Sequence, residues 1–97
     1  INRQPLDVVS AEVTNILYVI ARRAQQQAVM ALLESELARC NYPASDVDVR
    51  PFGSEEVEIE ATLAANSVDG DELDALVARI SQSTLVVQAF WSPSTTD

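Results

Sequence analysis

The spacing of apolar side chains switches between two periods along the chain. Over residues 57–63, Val57, Ile59, Ala61 and Leu63 alternate with Glu58, Glu60 and Thr62. A period of two is that of a strand with one face buried and one wet. Over residues 73–80, Leu73, Leu76, Val77 and Ile80 fall at i, i+3, i+4 and i+7, which predicts a helix. A similar stripe, Val29, Leu33 and Leu37 with Met30 beside it, runs through residues 24–39 and predicts another. Residues 13–21 are apolar at both parities and rich in β-branched and aromatic side chains, the pattern of a central strand buried on both sides. Residues 47–52 place Val47 and Val49 on one face and Asp46, Asp48 and Arg50 on the other, and residues 85–91 read as a last strand.

The boundaries carry their own signals. Asn41 suits the left-handed position after a helix, and Pro43 cannot continue one. Gly53-Ser54-Glu55 makes a turn between two strands, and residues 66–70 form a loop. Asp69 and Glu72 have the spacing of a capping box. Pro51 has no N–H to give to a ladder, which puts its strand at a sheet edge.

The resulting order is βαββαβ. With right-handed crossovers it gives an α+β, ferredoxin-like sandwich: a four-stranded antiparallel sheet with two helices on one face. The predicted sheet order is last strand, first, third, second. Residues 11–92 make the domain, residues 1–10 a linker and residues 93–97 a flexible polar tail. A first strand apolar on both faces needs cover on the side the helices leave bare. That cover is expected from a protein partner or from self-association through the open sheet face.

Composition narrows the chemistry. Fifteen acidic residues against six basic ones give a net charge of −9, which argues against nucleic acid and against adsorption to an anionic membrane. There is no histidine, so the commonest general base and metal ligand is missing. The single cysteine, Cys40, can form no internal disulfide and lies at the end of a helix, where the dipole disfavours a thiolate. Gly53 and Gly70 are the only glycines, which leaves no phosphate-cradling loop. No cofactor is implied. The candidate metal ligands are Asp46, Asp48, Glu58 and Glu60, four carboxylates across one hairpin that offer oxygen donors to magnesium or calcium. Arg22 and Arg23 stand ready for an acidic ligand. Tyr18, Phe90 and Trp91 are expected at one end of the sheet. No run is long and apolar enough to span a bilayer.

The βαββαβ order resembles that of ACT and ACT-like regulatory domains. The lead-in Ile1-Asn2-Arg3-Gln4-Pro5, Tyr18-Val19-Ile20 in the first strand and the closing Val87-Gln88-Ala89-Phe90-Trp91 resemble the C-terminal soluble domain of the MgtC family. The alanine-rich, acidic style is similar to that of mycobacterial members. The resemblance implies a non-enzymatic regulatory domain at the cytoplasmic face of a bacterial inner membrane, cut from a membrane-embedded protein. It also implies a part in adaptation to low magnesium and in survival inside macrophages. Its alternative is an ACT-type sensor of a small ligand or Mg2+. One departure stands against that alternative: ACT effector sites carry a glycine after the first strand, where this chain has Ala21-Arg22-Arg23-Ala24-Gln25.

Overall fold

The structure, a computed structural model, describes residues 12–65 and 67–96. Strand β1 spans Glu12–Arg22 and passes through a 3-10 turn at Arg23–Gln25 into helix α1, Gln26–Arg39. A hairpin follows, β2 at Ala44–Phe52 and β3 at Glu56–Leu63, then helix α2 at Gly70–Ser81 and strand β4 at Val86–Thr96. The sheet order is β2-β3-β1-β4, antiparallel throughout, as the sequence predicts. The expected linker 1–10 lies outside the described residues, as do Asn66 of the expected loop and Asp97.

One element is longer than expected. β4 does not give way to a tail at residue 93 but stays in register with β1 as far as the pair Glu12 and Thr96. The reason is mutual: β1 starts early enough to offer its backbone groups to the chain beyond Trp91, and an unpaired ladder there would leave those groups without partners. Pro93 is tolerated because β4 is the outer strand on that side, as Pro51 is in β2 on the other.

The core lies between the sheet and both helices. Leu17, Val19 and Ala21 of β1 and Val57, Ile59, Ala61 and Leu63 of β3 meet Val29, Leu33 and Leu37 of α1 and Leu73, Leu76 and Ile80 of α2. β3 alternates between buried and half-buried at every residue, which is its sequence pattern expressed in three dimensions.

The helix ends are built from side chains as well as backbone. Asn41 has φ 60°, and the N–H groups of Asn41 and Tyr42 donate to the carbonyls of Ala38 and Leu37 at 3.2 and 3.0 Å. This pair of bonds is the Schellman motif that ends α1. At the start of α2, Asp69 Oδ1 accepts from the Asp71 N–H at 2.9 Å. The return half of the capping box is made indirectly. The Tyr42 hydroxyl accepts from the Asp69 N–H at 3.1 Å and donates to Glu72 Oε1. One phenol thus takes the position between cap and third helical residue that a direct Glu72 bond would fill. The bond to Glu72 raises the Tyr42 pKa above its ordinary 10.0, the Asp69 N–H opposing it.

The two helices are also tied to each other. Arg79 Nε donates to Glu36 Oε1 at 2.9 Å, and Arg79 Nη2 approaches Cys40 Sγ at 3.1 Å. Cys40 is half-buried in this contact.

This packing has measurable consequences. Ile59→Ala is expected to cost about 2–5 kcal/mol, while Val49→Ala, at an exposed position, stays within about 0.5 kcal/mol, both measured by urea unfolding. Asp69→Ala is expected to cost about 1 kcal/mol, and Tyr42→Phe to speed amide exchange at Gly70–Leu73 with the core still protected. Because the folded pKa of Tyr42 is raised, its contribution to stability is fully present below pH 10 and is lost as pH climbs through the folded value. Tyr42→Phe should remove that alkaline limb from the pH dependence of unfolding.

Candidate functional site

The sheet face away from the helices collects the residues that neither helix buries. Antiparallel register sets them in rows. Asp48, Glu60, Tyr18 and Phe90 form one row, and Arg50, Glu58, Ile20 and Gln88 the next. Ile16 lies beside Thr62 and Ser92. The Tyr18 and Phe90 rings stack with centroids 4.8 Å apart and planes 16° off parallel. Ile20 is 5% exposed yet stands outside the core cluster, while Phe90 is 38% exposed. The face therefore has an apolar strip over β1 and β4 and an acidic margin over β3 and β2.

Trp91 does not join the other two aromatics. Strand alternation turns it to the helix side, where Nε1 donates to Asp74 Oδ1 at 2.8 Å and the indole lies 3.7 Å from the Cβ position of Gly70. A Cβ at Gly70 would meet this ring at ordinary van der Waals distance.

The four carboxylates predicted as cation ligands do share the open face, but they do not converge. Arg50 bypasses Glu58, its direct partner in register, and grips Glu60 diagonally. Its Nε reaches Oε2 at 3.1 Å and its Nη2 reaches Oε1 at 3.1 Å, a two-pronged pair that engages both oxygens of the carboxylate. Among the described residues no group of three or more carboxylates or thiols is placed to hold a metal. Glu58 is left beside Glu60. Burial raises its pKa most, its hydrogen bond with Glu60 and the charge of Glu60 raise it further, and Arg50 only partly offsets them.

Arg23 has a structural task. Its Nη2 donates to the Ser54 carbonyl at 2.7 Å and its N–H to the Glu55 carbonyl at 2.9 Å, which pins the start of α1 to the β2–β3 turn. Arg22 is exposed and lines a recess of about 410 Å³ with Gln25 and residues 84–87. A second recess, about 260 Å³ and mostly apolar, lies between α1 and β2. Pattern reasoning did not reveal the Tyr42 relay, the Arg79–Glu36 pair or the diagonal reach of Arg50. The first two join residues far apart in the chain, the third crosses a hairpin off its register, and no local period marks any of them.

Set beside solved structures, this sheet and its two helices are an ACT-like, ferredoxin-type domain. The ACT domain from GTP pyrophosphokinase of Chlorobium tepidum overlays with a TM-score of 0.59 at 6% identity, covering 86% of this chain and 100% of that one. LarC2, the C-terminal domain of a cyclometallase involved in the synthesis of the NPN cofactor of lactate racemase, overlays with a TM-score of 0.54 at 16% identity, over 91% of this chain and 58% of that one. A domain of a GTP pyrophosphokinase and one of a cyclometallase share the fold, so the fold by itself assigns no activity. The C-terminal domain of the MgtC protein from Mycobacterium tuberculosis overlays with a TM-score of 0.74 at 19% identity, covering 86% of this chain and 88% of that one. The family profile of the MGTC/SAPB C-terminal domain matches residues 16–91, and the chain belongs to that family. No curated protein matches it. No helix among the described residues is long and apolar enough to cross a membrane.

The Glu58–Glu60 pair has a measurable signature. With its folded pKa raised, the stabilising effect of protonated Glu58 is present below its ordinary 4.5 and is lost as pH rises through the folded value. Glu58→Gln is expected to flatten this slope in urea titrations, and carboxyl NMR should show Glu58 titrating above the ordinary glutamate range.

Proposed function

We propose that this domain is a non-enzymatic regulatory module of a bacterial membrane protein and that it acts by binding a protein partner through its open sheet face. The observation that carries the reading is the Tyr18–Phe90 stack with half-buried Ile16 beside it, an apolar strip on the side of the sheet that the helices leave bare. Such a strip with a charged margin is the make-up of an interaction surface. Membership of the MGTC/SAPB C-terminal domain family supports the setting, a domain on the cytoplasmic face of the inner membrane with a part in adaptation to low magnesium and intramacrophage survival. Absence of histidine from the chain, and of any grouped carboxylates or thiols among the described residues, supports a role without catalysis.

The test is site-specific photocrosslinking in cells carrying the intact membrane protein. A crosslinker at position 88, exposed on the same face, should capture a discrete partner, and Phe90→Asp should abolish both the adduct and growth at low magnesium while amide protection of the core stays unchanged. Normal growth of the Phe90→Asp strain, or crosslinks only from the helix side, would overturn the reading.

A second reading, a Mg2+ sensor, has one observation in its favour: the crowded Glu58–Glu60 pair, whose mutual repulsion a divalent cation would relieve. Calorimetry with millimolar magnesium should then give saturable heat that Glu58→Gln abolishes; a flat trace removes the reading.

A further inference from the structure

The recess between α1 and β2 lies on the opposite side of the sheet from the aromatic stack. We propose that it is a docking groove for an extended peptide strand from another protein, apolar at alternate positions and basic at the positions between, which adds to the outer edge of β2. Three features combine here: an unpaired strand edge, an apolar trough beside it, and a charge pattern that selects the occupant.

β2 is the outer strand of the sheet, and among the described residues no strand pairs with its far side. Its outward backbone groups over Asp46–Arg50 are therefore a template for one more strand. Alongside runs the trough, about 260 Å³, lined by Met30, Leu33 and Leu37 of α1 and by Pro43, Ala44 and Val47. That volume is below the range of about 300–1,000 Å³ typical of small-molecule sites. It suits one or two apolar side chains descending from a strand. Edge strand and adjacent helix groove together are the geometry of β-strand addition: the backbone supplies affinity, and alternate side chains in the trough supply selection.

Charge decides what kind of strand fits. Side chains of an added strand alternate between the trough and the open face. On the open face they come beside Asp46 and Asp48, both exposed. Arg50, the only basic residue of β2, is held by Glu60, so the edge presents net negative charge. Lysine or arginine at the intervening positions meets these acids. The same charges disfavour a second copy of this chain. Antiparallel self-pairing centred on residue 47 sets Asp46 against Asp48 twice, and centring on 48 sets Asp48 against Asp48; registers that bring an aspartate to Arg50 meet a guanidinium that Glu60 already holds. Like charges directly opposite are destabilising.

Pro51 and the register shift between Ala44 and Asp46 are ordinary edge protections, and they bound the usable stretch. Between them Asp46–Arg50 keeps regular pairing with β3. The groove is distinct from the Tyr18–Phe90 strip, so its test is independent of the proposed function.

The experiment uses the 97-residue chain and a nine-residue synthetic peptide alternating leucine with lysine. Two controls accompany it: a scrambled peptide of the same composition, and the alternating peptide N-methylated at every second backbone nitrogen. Amide NMR should show saturable shifts confined to Asp46–Arg50 and to Leu33, Leu37 and Ala38. Asp48→Lys, at an exposed position that leaves the core untouched, should weaken binding about tenfold, as should backbone N-methylation. Equal binding of the scrambled or N-methylated peptide would reduce the effect to bulk charge attraction and overturn the proposal. So would shifts centred on Tyr18 and Phe90. Concentration-dependent shifts at Asp46–Arg50 with no peptide present would identify a second copy as the occupant and equally overturn it.

Discussion

Everything in this fold is arranged around β1, a strand that is apolar on both faces. Leu17, Val19 and Ala21 are sealed beneath the helices, and Ile16, Tyr18 and Ile20 look the other way. A strand of that kind cannot sit at an edge without exposing one set or the other, so it takes β3 on one side and β4 on the other. The split βαβ connectivity follows from that demand together with the right-handed rule for crossovers. The open face is therefore not an incidental surface: it is what remains when a doubly apolar strand is covered by helices on one side only.

The acidic character of the molecule is unevenly used. On the helices, acids cap and tie: Asp69 holds the start of α2, Glu36 receives Arg79, and Asp74 receives the Trp91 indole. On the sheet they crowd. Arg50 can neutralise one of the two neighbouring glutamates, and its two-pronged grip on Glu60 leaves Glu58 without a cation of its own. Local discomfort of this kind on a face with an apolar centre makes that surface sensitive to pH, ions and partners, whereas Asp69, Glu36 and Asp74 on the helix side each have a partner.

How much was legible in the chain depends on the range of the interaction. Period and punctuation are local, so the strand of Val57–Leu63, the stripe of Leu73–Ile80, the left-handed Asn41 and the edge position of Pro51 all stand as read. The length of β4 was not legible, because residues 92–96 carry no apolar alternation and are strand only through pairing with β1. The four carboxylates of the hairpin were placed on the correct face by alternation, but alternation fixes a face and not a reach. The flexible arm of Arg50 decided which carboxylate was satisfied. Likewise Asp69 and Glu72 showed capping-box spacing, and only the fold brought Tyr42 between them.

That phenol has a mechanical consequence. Tyr42 follows directly on the end of α1, and its ring hydroxyl is fastened to the first turn of α2. The stretch it anchors, from Leu37 through Pro43, is also one end of the trough beside β2. A wall held in place from a different helix is already rigid before anything enters, so its ordering entropy is settled when the chain folds and not when a ligand arrives. Fraying of α2 at its N-terminus would in turn soften a recess that α2 does not line, so local unfolding at one end of the molecule is transmitted to a surface on another element.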